Sequence, residues 1–163
     1  MVIRSEIDYN RAVRFFDEHF PLIVAVAGKS IDATEMQEMS AGYEKYFVRG
    51  ERYTVLNLTP PDFQLPDAVG RNLVAQWVHH PRVRDFTKRL CIGAVAVQRS
   101  ILYRVAFNVV MAFDKPVTEM KCLATLEAGL DYCLGRIKTE KLAMAKPLDL
   151  VRYEVIEQLG KVI

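Results

Sequence analysis

The stretch CIGAVAV-QRS-ILYRVAFNVVMAF, Cys91 to Phe113, decides the fold. Its first seven residues are apolar without alternation, which suits a strand covered on both faces. Ser100 is a favoured helix N-cap, and Ile101 to Phe113 predicts the helix that follows. Asp114-Lys115-Pro116 breaks that helix, because proline lacks the backbone donor. Strand, short polar turn and helix together form the unit from which α/β domains are built.

Upstream, Pro21 precedes Leu22-Ile23-Val24-Ala25-Val26-Ala27-Gly28, a β-branched run stopped by glycine and read as a second buried strand. Val13 to Phe16 is placed beside it as an edge strand. Asp32-Ala33-Thr34-Glu35 has the capping-box pattern. Met36, Met39, Tyr43 and Phe47 follow at helical spacing, and Gly50 stops a helix spanning Ala33 to Val48. Tyr53 to Leu58 is the next strand, ended by Pro60 and Pro61. Asp67 caps a second helix with Val69, Leu73 and Trp77 on one face. His79-His80-Pro81 interrupts it, since the residue before proline is pushed out of the α region, and a further helical piece covers Arg82 to Leu90.

Downstream of the deciding stretch, Met120 to Ala124 is a short strand. Thr125 caps a helix through Leu126, Leu130, Cys133, Leu134 and Ile137. The alternation predicts parallel strands joined by right-handed crossovers. Pro147 then opens a last helix with the apolar stripe Leu148, Val151, Val155, Leu159 and Val162. This helix either folds back onto the core or packs on another subunit. A single domain is expected, with a core over about residues 12–140 and a C-terminal helical extension over about 146–163.

The chain has 163 residues, 51% hydrophobic and 26% charged, a globular composition that argues against disorder. The 22 basic and 20 acidic residues leave a net charge of +2, too balanced to predict a nucleic-acid partner. The densest basic stretch, Arg82, Arg84, Lys88 and Arg89, reads as a solvated helix face. Cys91, Cys122 and Cys133 are odd in number and widely spaced, so reduced buried thiols are expected rather than a disulfide framework or a zinc site. Met1 to Asn10 carries Glu6 and Asp8 and lacks the apolar core of a signal peptide. No apolar run reaches the ~20 residues of a transmembrane segment. A soluble cytoplasmic location is the expectation.

Several phrases resemble the STAS/SpoIIAA-like proteins, a group named for sulfate transporters and anti-sigma factor antagonists. They are FPLIVAVAG (Phe20 to Gly28), GERYTVLNL (Gly50 to Leu58), AQWV (Ala75 to Val78) and RLCIGAVAVQRSILYRVAFNVV (Arg89 to Val110). The resemblance spans about Phe20 to Ile137 and rests mostly on core residues. It implies a small, mainly parallel sheet with helices mainly on one face, and regulatory protein binding or ligand sensing rather than catalysis. Signalling members carry a phosphorylatable hydroxyl after the third strand, within an aspartate-serine motif. The matching segment here is Leu58-Thr59-Pro60-Pro61-Asp62-Phe63, without that motif. Thr59 and Asp62 are therefore the candidate regulatory loop residues. The C-terminal helix lies outside the family pattern.

No catalytic, cofactor-binding or metal-binding constellation is predicted. His79 and His80 are the first residues to weigh for general-base chemistry. Adjacent histidines diverge on a helix, and only Asp85 is near in sequence, so a polar helix end before Pro81 is the simpler reading. His19, before Phe20-Pro21, reads as a turn residue. Gly28-Lys29-Ser30 lacks the upstream glycine of a phosphate cradle.

The helix Ile101 to Phe113 is the most informative segment. Only Ser100, Arg104 and Asn108 form a polar stripe on it, so most of its circumference should be covered. The cover is the C-terminal helix, a second subunit or protein partner, or a lipid or hydrophobic ligand. The leading expectation is a non-enzymatic regulatory or scaffolding module. It is expected to be homodimeric through Ile101, Val105, Val109 and Ala112, with Arg104 and Asn108 fixing the register. Binding of a lipid or small apolar molecule between sheet and helices is the alternative. An enzyme using His79 or His80 is the third.

Overall fold

The computed structural model describes residues 13–161. Val162 of the predicted apolar stripe, and the Met1 to Asn10 segment read for a signal peptide, lie outside the described residues. The chain runs β1 (Arg14–Phe16), β2 (Leu22–Val26), α1 (Ala33–Arg49), β3 (Tyr53–Leu58), α2 (Ala68–His79), α3 (Pro81–Leu90), β4 (Cys91–Val97), α4 (Ile101–Phe113), β5 (Met120–Leu123), α5 (Leu126–Thr139) and α6 (Leu148–Leu159). The five strands form one sheet in the order β1-β2-β3-β4-β5. β1 pairs antiparallel with β2, and the remaining pairs are parallel. This is an α/β fold with a mostly parallel sheet, as the strand–helix alternation requires. None of the described helices is long and apolar enough to cross a membrane.

The helix starts follow from local chemistry. Asp32 accepts from the Glu35 N–H at 2.9 Å, and Asp67 from the Gly70 N–H at 2.8 Å. Ser100 and Thr125 do the same for Tyr103 and Ala128. Each satisfies a donor that the first helical turn leaves unpaired. Gly50 ends α1 at φ 69°, in the left-handed region that glycine adopts without strain.

Every residue of β2 and β4 is buried, because alternate side chains enter two different cores. Leu22, Val24, Val26, Leu56, Leu58, Val95 and Val97 pack with α5 and α6. Ile23, Tyr53, Val55, Cys91 and Ala94 pack with α1, α2 and α3. The helices therefore lie on both faces, a correction to the one-sided arrangement implied by the family resemblance. The second layer is allowed by glycine at the contact: a Cβ on Gly129 of α5 would lie 2.7 Å from both Leu56 and Val97.

Two details of the parallel ladder position the strands. The register shifts between Tyr53 and Thr54, so that Ile92 is an extra residue on β4. Side chains then serve the carbonyls there: Thr118 donates to Cys91, Arg136 to Ile92 and Thr54 to Gly93.

The C-terminal helix docks in cis. Val151, Val155 and Leu159 are at most 1% exposed, a burial worth about 5–8 kcal/mol before chain entropy is subtracted. Arg152 donates to Asp131 of α5 at 2.7 Å. Glu154 takes Lys146 at 2.7 Å and the buried His19 at 3.3 Å. His19 thus ties the turn before β2 to α6.

Candidate functional site around helix α4

α4 behaves unlike the other helices. Tyr103, Phe107 and Met111, four residues apart, are its half-buried side, with Arg104 beside them, and no residue of the helix is buried. It meets the sheet at the edge strand β5. Tyr103 packs edge-on to Phe63 of the proline-rich loop, ring centroids 6.2 Å apart.

The opposite side is apolar and open. Leu102 is 83% exposed, Phe113 89% and Ile101 69%, with Val105, Val109 and Val110 each just over half exposed. The six leave on the order of 700 Å² in water, above the ~300–600 Å² of the largest patch on a typical monomer. Ala106 and Ala112 fill the gaps between them and are exposed as well. No charged residue interrupts this face. Cover by the C-terminal helix is overturned, because α6 packs on α5 across the sheet.

The expected interface residues divide. Ile101, Val105, Val109 and Ala112 lie on the open face, with Asn108 exposed at its margin. Arg104 instead turns back, its Nη1 donating to the carbonyls of Gln98 at 2.8 Å and Arg99 at 2.7 Å. It anchors the start of α4 rather than facing outward. Leu102 and Phe113, the most exposed of the set, were not singled out in the sequence, although their apolar character was the available signal.

Behind the C-terminal half of α4 lies a cavity of about 180 Å³. Val55, Ala94 and Met120 of the sheet form its floor, Trp77 and Val83 one wall, and Met111 and Val117 the other. It lies between α3, which packs on β4, and α4, which meets the sheet at β5. Deeper in, Tyr43 donates to Asn57 at 3.4 Å, and burial pushes both Tyr43 and Tyr53 phenols well above their ordinary value. Burial likewise pushes the Cys91 thiol, also on the lining, to about 11.

At the mouth, His79 Nε2 lies 2.8 Å from Asp114, and Arg84 Nη1 lies 3.4 Å from His79 Nδ1. Asp114 and Arg84 thus face different nitrogens of the His79 ring. The His79–Asp114 pair links the end of α2 to the end of α4. His80 is exposed and stands between α2 and α3. Asp85, the carboxylate near the histidines in sequence, pairs with Arg89 instead at 2.8 Å.

The basic stretch is divided in the same way. Arg82 forms a two-pronged pair with Glu44 of α1, while Arg84 lines the cavity. In the candidate regulatory loop, Thr59 is half-buried with its hydroxyl used twice. It donates to the Val97 carbonyl at 2.9 Å and accepts from Gln98 at 3.1 Å. Asp62 is exposed and pairs with Lys29 at 3.4 Å. The three cysteines are free thiols, Cys91 and Cys133 buried and Cys122 half-buried.

No family model matches the chain, and no curated protein or solved structure matches it. The functional reading rests on this geometry.

Proposed function

We propose that the protein is a non-enzymatic interaction module that self-associates through the outer face of α4. The supporting observation is the uninterrupted apolar face from Ile101 to Phe113. Leu102, Val105, Val109 and Ala112 are spaced three, four and three residues apart, the a/d pattern of a helix that pairs with another helix. A twofold axis needs a patch that complements itself, and a face with no charge meets that condition. Burying half of it on each of two copies gives about 15–20 kcal/mol of gross hydrophobic stabilisation. Association costs ~4–15 kcal/mol, which burial on this scale can offset. Asn108, at the margin, is placed to hydrogen-bond across the seam and set its register. The regulatory role implied by the STAS/SpoIIAA-like resemblance is compatible with such a surface.

Sedimentation velocity on the full chain tests the reading. The wild type is expected to sediment as a dimer at micromolar concentration. Val109→Asp should sediment as a folded monomer, since Val109 makes its contacts outside the fold. A wild-type chain that stays monomeric up to about 0.5 mM, or a Val109→Asp variant that stays dimeric, would overturn it.

A further inference from the structure

We propose that the cavity behind α4 is a binding site for a small amphiphilic carboxylate, its apolar body against Trp77 and Met111 and its head group at Arg84 and Lys115. This site lies on the half-buried side of α4, away from the face proposed for self-association, so the two readings stand or fall separately.

The size, the lining and the mouth point to the same class of ligand. A cavity of about 180 Å³ exceeds the ~150 Å³ apolar cavity that accommodates benzene, so it takes one or two fused rings or a chain of comparable volume. The interior is set by aliphatic and aromatic side chains, with Tyr43 and Trp77 rings 5.3 Å apart at one end. An apolar body is favoured there and a charged one is not.

The mouth has the opposite character. Asp114 is engaged by His79 at 2.8 Å. Arg84 Nη1 lies 3.4 Å from the His79 ring, and neither Arg84 nor Lys115 forms a salt bridge among the described residues. Two cations against one occupied carboxylate leave a positive rim beside an apolar hole. A guanidinium presents the two parallel donors that a carboxylate accepts. The remaining wall is Met111, on the helix with no buried residue, and a thioether side chain adapts to the outline of a ligand.

Trp77 is the single tryptophan of the chain and lines the cavity, so the full protein carries its own reporter. Intrinsic fluorescence is titrated with decanoate, with 2-naphthoate and with the matching alcohols. Saturable quenching or a blue shift by one of the acids below about 1 mM is expected, with the alcohols binding at least tenfold more weakly. Tighter binding of naphthoate assigns an aromatic body, and tighter binding of decanoate an aliphatic one. Arg84→Gln should weaken the acids about tenfold and leave the alcohols unchanged. Ala94→Leu, which fills the floor, should abolish binding of both. Because a core substitution can unfold the chain, Met111→Phe serves as a second blocking variant from the α4 wall. No saturable change with either acid, equal binding of acid and alcohol, or wild-type affinity in both Arg84→Gln and a folded blocking variant would overturn the proposal.

Discussion

Glu35 makes the stability of this protein depend on pH in a direction opposite to most carboxylates. It occupies the third position of α1, is 5% exposed, and leaves Oε2 without a hydrogen-bond partner. The capping carboxylate of Asp32 sits one turn before it. Burial, reinforced by Asp32, pushes Glu35 from 4.5 to about 7, against the Gly28 N–H that favours its charged form. Between those values the folded chain holds a proton that the unfolded chain has released. Glu35's contribution to stability is therefore fully present below pH 4.5 and is lost as pH rises through about 7. At ~1.4 kcal/mol per tenfold the full shift is worth at most about 3 kcal/mol; relaxation of the site around the charge reduces this to about 1–2 kcal/mol. Glu35→Gln keeps an acceptor for Gly28 and removes the titration. Urea unfolding of both proteins across about pH 4.5–7.5 reads the difference directly. The stability of Glu35→Gln relative to wild type should climb by about 1–2 kcal/mol across that window. Asp17, which Lys45 and Tyr46 hold below its ordinary value, loses its contribution as pH falls and is common to both proteins, so it cancels. Parallel pH curves for the two proteins would refute the reasoning.

Other outcomes are equally specific. Gly129→Val drives a branched side chain into Leu56 and Val97, 2.7 Å from the glycine's Cβ position, and should cost about 1–3 kcal/mol in urea unfolding. Gly135→Ala on the same helix meets nothing within 4 Å and should gain about 0.5–1 kcal/mol. Leu159→Ala, at a site 1% exposed, should lose about 2–5 kcal/mol without altering the sedimenting mass, because α6 docks in cis. In a thiol assay at about pH 8, Cys122 should react alone in the folded protein, since burial pushes Cys91 to about 11 and Cys133 to about 12; all three should react in urea.

What was legible in the sequence was local. Continuous apolar runs marked β2 and β4 because both sheet faces are covered, and Asp32, Asp67, Ser100 and Thr125 marked helix starts because each has one donor to satisfy within three residues. Periodicity failed where a glycine took the inward place. Val69, expected on the inner stripe of α2, is 67% exposed, while the neighbouring Gly70 is buried against the Ile31 carbonyl. A side chain would not fit there, and an apolar pattern cannot register a residue that contributes none. The cavity was invisible for a different reason. Trp77, Ala94, Met111 and Met120 lie on four elements, and only the sheet order brings them together.

The cover for α4 shows where topology outweighs composition. Its apolar circumference marked a surface expected to be covered, but nothing in that signal points to a direction. The direction follows from strand order. With β2, β3, β4 and β5 laid down consecutively, connections of one hand place their helices on one face. Once β5 is in place, α5 has the other face left to cover, and α6 follows α5 there. The C-terminal helix was therefore committed to the far side of the sheet before its own sequence came into play. An apolar helix left on the near side, beyond the last strand, has no remaining segment among residues 13–161 to meet it. Its exposed face is therefore what the sedimenting mass tests, and no substitution within the two cores can stand in for that measurement.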